Sequence, residues 1–225
     1  MPEHCKVRYA IFCDGSTVQK ENYVGIGLIL VRLVQIYQEK NSLIPASHYL
    51  IDDVLCIDKV EYAQHQFHLY EAHESLAIIC AIKMADAWKF KKNEHCYIFN
   101  DCVTTIWRFN LLHHCKLFGT HEPGTDDMPL FFKKNGALMA QFYPEIQLMM
   151  QSHLDFQQIG RTYQPITMAD RISKIDFNNS DSEKDKIIAF LKGQSFIFNP
   201  SYLTPEQKNT IEKQLRKYQK NIKTS

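Results

Sequence analysis

No stretch of this 225-residue chain approaches the roughly 18 consecutive uncharged apolar residues that a membrane-spanning helix needs. Its opening, Met1-Pro2-Glu3-His4-Cys5-Lys6, is neither a charged-then-apolar leader nor a lipidation signal. These absences set the expectation of a cytoplasmic protein without a membrane partner. A strong charge of one sign is missing too: 26 basic against 25 acidic side chains leave +1, so the chain as a whole lacks the field of a protein that holds a polyanion by charge alone. The seven cysteines, at 5, 13, 56, 80, 96, 102 and 115, form no Cys-x-x-Cys pair. Several lie inside apolar runs, where a thiol packs as a small hydrophobe, and all are expected to be reduced. Internal repeats and low-complexity tracts are absent as well.

What is present suffices for a sizeable core, with 45% hydrophobic residues and a length suited to one domain, or one plus an appendage. Residues 7–13 and 23–33 read as buried, β-branched-rich strands joined by a polar hairpin over 15–22, and 49–66 as a third strand after an irregular insertion. The period then changes: Leu69, Ala72, Leu76, Ile79, Ile82, Lys83 and Trp88 recur at three and four, which predicts a long helix over 69–90. Cys96-Tyr97-Ile98-Phe99 is a short apolar strand ending at Asn100-Asp101, with a helix following over 102–110. Residues 113–128 are loop-like, 129–142 helical, 146–159 contain a fifth strand, and a helix starts at Thr167. The polar run Asn178-Asn179-Ser180-Asp181-Ser182 then reads as a linker before a helix that Gly193 ends, and Thr204-Pro205-Glu206-Gln207 caps another. The expected organisation is a domain over 1–179 with a helical C-terminal appendage over 180–225, the latter rich in lysine from Lys208 to Lys223.

Four carboxylates stand at the junctions of these elements. Asp14 follows the run Tyr9-Ala10-Ile11-Phe12-Cys13 and precedes Gly15-Ser16; Glu74 lies early in the long helix; Asp101 follows the fourth strand; Asp170 lies in Met168-Ala169-Asp170-Arg171-Ile172. Taken singly, an aspartate in a turn or a glutamate on an alanine-rich helix is ordinary surface. As an ordered set, on a two-strand hairpin, third strand, helix, fourth strand, helix, fifth strand and helix, they resemble the type 1 ribonuclease H family over residues 7–176. The segments carrying the likeness are Phe12-Cys13-Asp14-Gly15-Ser16 with Gly25-Ile26-Gly27, Glu74-Ser75-Leu76-Ala77, Phe99-Asn100-Asp101-Cys102 and the Ala169-Asp170 pair.

That resemblance implies an α/β ribonuclease H-like fold, a mixed five-stranded sheet flanked by helices. It implies an endonuclease that hydrolyses the RNA strand of RNA–DNA hybrids, with Asp14, Glu74, Asp101 and Asp170 as both catalytic and metal-binding residues. Two Mg²⁺ or Mn²⁺ ions would be held, Asp14 bridging them, Glu74 and Asp101 on one and Asp170 on the other. Hard divalent ions favour such oxygen ligands, and two close together need several anions against their mutual repulsion. Gly15, Ser16, Asn22 and Arg161 would meet the nucleic-acid partner.

Departures accompany the likeness. The family's histidine on the loop before the last aspartate is replaced by the stretch Gly160-Arg161-Thr162-Tyr163-Gln164. Arg161 can neutralise a developing anion but cannot shuttle a proton at neutral pH. Glu71 is an alternative ligand, and His73 reads as a helix-surface residue. Other chemistries have weaker sequence support: His95, Cys96, Cys102, His113, His114, Cys115 and His121 lack the tight paired spacing of a zinc site. Cys13 or Cys102 as a nucleophile has no local signature, and Asp-Gly-Ser is not a nucleophile elbow. A catalytically impaired nucleic-acid or protein-binding module, or a transposase, integrase or structure-specific nuclease, stays open because fold does not fix substrate.

Overall fold

The computed structural model describes residues 8–18, 23–38, 47–63, 72–90, 94–103, 105, 106, 109, 110, 154–174 and 181–198. Among the described residues six strands form one sheet: β1 (Arg8–Val18), β2 (Tyr23–Gln38), β3 (Ser47–Ala63), β4 (His95–Asn100), β5 (Leu154–Gln158) and β6 (Ser195–Phe198). The spatial order is β5-β4-β1-β2-β3-β6. β1, β4 and β5 run parallel, while β2 is antiparallel to β1 and β3, and β6 is antiparallel to β3. Among the described residues, helices α1 (Ala72–Trp88), α2 (Gln164–Lys174) and α3 (Asp181–Leu191) lie against the sheet. Residues 103, 105, 106, 109 and 110 are also helical, as expected after β4.

β1 lies between β4 and β2, and it is apolar on both faces because both are covered, which is why its sequence runs apolar without alternation. Ile11 and Cys13 pack on one side with Leu28, Leu30, Leu76 and Ile82. Ala10 and Phe12 pack on the other with Ile29, Phe99, Ile166 and Ile172. α1 is buried from Glu74 through Ile82 without a break, so its periodicity is that of a core helix, apolar nearly all round.

Two glycines fix how closely α2 lies on β2. A Cβ on Gly25 would come within 1.9 Å of the Ser173 carbonyl oxygen, and one on Gly27 within 2.0 Å of that of Ala169. Helix backbone thus rests directly on strand backbone, and this seats Asp170, next to Ala169, above the sheet. Gly27→Ala should destabilise the fold by about 1–3 kcal/mol, an overpacking cost, read as a lower urea midpoint. Gly160→Ala is the control: its Cβ would meet nothing nearer than 3.7 Å, and its midpoint should stay near that of the unaltered chain.

Several sequence expectations change. β1 does not stop at Asp14; it continues to Val18, so residues 15–18 of the expected hairpin belong to the strand, and 19–22 lie outside the described residues. The polar Ser16 and Thr17 still pair with Gly25 and Val24, since ladder hydrogen bonds do not depend on side-chain polarity. β3 spans Ser47–Ala63, α1 begins at Ala72, and α2 begins at Gln164 rather than Thr167. Pro165 stands in the first turn of α2, where its missing N–H has no helical partner to lose.

The largest difference is a sixth strand where five were expected. β6 pairs Ser195–Phe198 with Ser47–Leu50. Four residues are too few to show a period. Phe196 is buried against Phe12 and Phe99, with ring centroids at 5.6 and 5.7 Å, and Ile187 and Leu191 of α3 join the same core. Gly193, with φ of 84°, makes the turn from α3 into β6; its N–H donates to the Ile51 carbonyl at 2.9 Å. Residues 181–198 are therefore part of the sheet's core, not a peripheral appendage. The helix expected after Thr204 and the elements expected over 113–142 lie outside the described residues.

Candidate metal centre

Three elements bring one carboxylate each to the same end of the sheet. Asp14 stands two residues beyond Phe12, the last β1 residue paired with β4, and faces Gly27 across the β2 ladder. Asp101 directly follows Asn100, where β4 ends. Glu74 is in the first turn of α1, a turn that approaches β1 closely because Gly15 has no side chain: a Cβ there would lie 2.3 Å from the His73 carbonyl oxygen. Carboxylate oxygens of Asp14, Glu74 and Asp101 lie within 4.8 Å of one another. Among the described residues this is the group able to hold a metal ion, and it contains no histidine or cysteine.

Asp170 flanks the triad. Its carboxylate accepts a hydrogen bond from Ser16 Oγ at 3.3 Å and an ion pair from Lys174 Nζ, one helical turn on, at 2.6 Å. Asn100, fully buried, locks the group from behind. Its side-chain amide donates to the Cys13 carbonyl at 2.9 Å and to Glu74 Oε2 at 3.1 Å, and its Oδ1 accepts from the Cys102 N–H at 2.8 Å. Arg161 Nε donates to Asp101 Oδ2, while Asp101 Oδ1, shielded from solvent, has no hydrogen-bond partner among the described residues.

The electrostatics follow from this crowding. Burial, then the charge of Glu74, raise Asp14 to about 9, with Asp170 and Asp101 adding to the shift. Asp101 is raised by burial and by Glu74, against the opposing pull of Arg161. Asp170 feels burial as well, but hydrogen bonds from Lys174, Asp14 and Ser16 outweigh it and hold it below the ordinary carboxylate value. Like charges desolvated together favour protonation or a bound cation. Hard oxygen donors only, an orphaned buried carboxylate oxygen and mutual repulsion are what a divalent ion such as Mg²⁺ or Mn²⁺ relieves, so the residues present fit such an ion.

With Asp14 just beyond the stretch of β1 that pairs with β4, Asp101 just beyond the end of β4 and Glu74 on the first turn of α1, the carboxylates stand on the elements where the sequence resemblance placed them. The fold is ribonuclease H-like. No family model matches the chain, and no curated protein matches it. Solved structures do. One is the N-terminal RNase H domain of a Mycobacterium tuberculosis protein, solved as a fusion with maltose-binding protein, at 14% identity over 80% of this chain and 97% of that one, with a TM-score of 0.39. Another is LC9-RNase H1, described as a type 1 RNase H with the type 2 active-site motif, at 10% identity over 89% and 81%, with a TM-score of 0.41. NurA with manganese is similar at 10% identity over 91% of this chain and 52% of that one, with a TM-score of 0.24.

Of the other predicted site residues, Ser16 supports Asp170, Gly15 admits α1, and Arg161 stands at the cleft mouth with its side chain 82% exposed. Asn22, Glu71 and the histidines and cysteine of 113–121 lie outside the described residues. His73 is not turned away from the site: it lines the same cleft, with Nε2 3.6 Å from Glu74 Oε1. Cys13 is buried, and burial followed by the Asp14 charge raises its thiol well above the usual value, which excludes it as a nucleophile at neutral pH. Cys96 is buried in β4, and Cys102 Sγ accepts a hydrogen bond from Thr105 Oγ1 at 3.2 Å. Asn100 and Lys174 escaped the sequence reading. An asparagine at the end of a strand gives no periodic signal, and Lys174 would have been found only by pairing it with Asp170 at i, i+4.

Proposed function

We propose that this chain is a divalent-metal-dependent endonuclease that hydrolyses the RNA strand of RNA–DNA hybrids, with two Mg²⁺ or Mn²⁺ ions at the carboxylate cluster. The observation that carries this reading is the convergence of Asp14, Glu74 and Asp101 oxygens within 4.8 Å at the floor of an open cleft lined also by Asp170, Arg161 and His73. Bound divalent cations supply the Lewis acidity that makes water a nucleophile near neutral pH and stabilises the departing 3′-oxygen.

The protein's own residues have separate tasks. Asp14, Glu74 and Asp101 would hold the first ion, and Asp14 with Asp170 the second. Asn100 fixes the Glu74 carboxylate through its amide, so that this ligand needs no reordering when a cation arrives. Ser16 and Lys174 hold Asp170 beside Asp14. Arg161, mostly exposed, is placed to meet a phosphate oxygen at the cleft mouth, where its fixed charge suits an anion. A hybrid duplex would be distinguished by its 2′-hydroxyls and backbone shape across the minor groove, not by base edges. Net charge near zero is compatible with this, since part of the affinity for phosphate comes through the ions.

EDTA should abolish cleavage of a labelled RNA–DNA hybrid, and Mg²⁺ or Mn²⁺ should restore it. Ca²⁺ should bind without supporting turnover, because its larger, looser shell positions water poorly. Protein that binds nucleic acid yet cuts no hybrid, single strand or branched DNA in Mn²⁺ would be a binding module on the same fold. Stoichiometric zinc required for folding would place the metal chemistry elsewhere.

A further inference from the structure

Asp101 has two unlike oxygens. Oδ2 is held by the Arg161 guanidinium, and Oδ1 is buried with no partner among the described residues. The two partners are also unlike in exposure: the Asp101 side chain is 8% exposed and that of Arg161 82%. A cation already sits against one corner of the triad, tethered to a loop residue whose other end is in water. The neighbouring loop backbone is fixed independently of that ion pair, since Thr167 Oγ1 donates to the Arg161 carbonyl at 2.9 Å and the Tyr163 N–H to the Gly160 carbonyl at 3.1 Å. Arg161 can therefore change partner by rotating its side chain alone. It also has little packing to lose.

A guanidinium on Asp101 acts on an incoming divalent ion in two ways. It repels the ion, and it occupies an oxygen that the ion could use. Both effects weaken metal binding while the pair is intact. A phosphate oxygen entering the cleft offers the guanidinium a second anion in bidentate geometry, and a guanidinium that moves to it releases Asp101 to the metal. We propose that Arg161 is a built-in counter-cation of the carboxylate cluster, keeping divalent-ion affinity low until a nucleic-acid phosphate draws the guanidinium off Asp101. Nucleic acid and metal then bind with positive coupling, which by linkage is reciprocal. The proposal rests on the metal-centre reading above, and it makes Arg161 a positioning residue for Asp101 in the free protein.

The deciding experiment is the Mn²⁺ affinity of the free protein, followed by electron paramagnetic resonance or calorimetry, for wild type, Arg161→Ala and Arg161→Lys. Arg161→Ala should bind the ion about tenfold more tightly, within the usual range of coupling between sites, and Arg161→Lys should stay near wild type because it keeps the charge. In cleavage of a hybrid, half-saturating Mn²⁺ should lie well below the free-protein dissociation constant for wild type and close to it for Arg161→Ala. A structural role for Arg161 would weaken binding on its removal, so unchanged or weaker Mn²⁺ affinity in Arg161→Ala overturns the proposal. Tighter Mn²⁺ binding without cleavage by any of the three proteins would uphold the counter-cation and overturn the nuclease reading. Absence of Mn²⁺ binding by all three would remove both.

Discussion

Asp14→Asn should fold, melt at a higher temperature than wild type in EDTA near about pH 8, and lose hybrid cleavage by about three orders of magnitude or more. The two effects have one cause. In the metal-free protein, burial and the Glu74 charge raise Asp14 to about 9 from 3.8, so the folded state keeps a proton that the unfolded chain releases. Its contribution to stability is full below the unfolded value and declines as pH rises towards the folded one. Asparagine is close in shape, carries no charge and removes that decline. The melting-temperature gap between variant and wild type should therefore open steadily from about pH 5 to about pH 9 in EDTA. Asp170, lowered in the fold, has the opposite linkage: its contribution is present above the unfolded carboxylate value and is lost only as pH falls through its lower folded value, outside this window. Mn²⁺ should reverse the order by stabilising wild type through binding to the native state, with little effect on the variant. Asp101→Asn should lose cleavage comparably, and Asp170→Asn less, as it stands outside the triad. Equal melting of Asp14→Asn and wild type across that pH range in EDTA would count against the crowded-carboxylate description.

Deleting residues 181–225 should leave a chain without a cooperative melt. Ile187, Leu191 and Phe196 are all buried in the core on the α2 side. Each fully buried side chain of this kind contributes about 1.5–3 kcal/mol, so their loss removes up to roughly 5–9 kcal/mol, comparable with the whole stability of a typical domain. The deletion also strips the β3 edge of its partner strand and the bonds between Ile51 and residues Gly193 and Gln194, both 2.9 Å. The sequence alone, with a polar linker and a capped helix, implies instead that the remainder folds unaided. Circular dichroism with a thermal ramp separates the two: a sharp, reversible transition in the truncated protein would return residues 181–198 to the status of an appendage.

Legibility in the sequence followed the strength of local signals. The hairpin, the buried helix and the β4 strand were readable because apolar runs and helical periods are properties of a dozen neighbouring residues. Asp14, Glu74, Asp101 and Asp170 were readable through their order along the chain and the family likeness it carries. Contacts between distant residues were not. Asn100 bonds to Cys13 and Glu74 across 87 and 26 positions, and Arg161 reaches Asp101 across 60; no local pattern encodes such pairs. β6 was hidden for a related reason: its four residues become a strand only because β3, far earlier in the chain, presents an edge for them. Gly25 and Gly27 read as strand glycines, whereas their function is to admit a helix backbone that comes some 140 residues later, at Ala169 and Ser173.

The central claim is that Asp14, Glu74 and Asp101 are ligands of one divalent cation. Anomalous scattering from a crystal soaked in Mn²⁺ tests it most directly. A peak in contact with carboxylate oxygens of all three residues, absent from the Asp14→Asn crystal under the same soak, is the predicted result. A Mn²⁺-soaked wild-type crystal with no peak among these three side chains, or with the ion bound elsewhere, would contradict it.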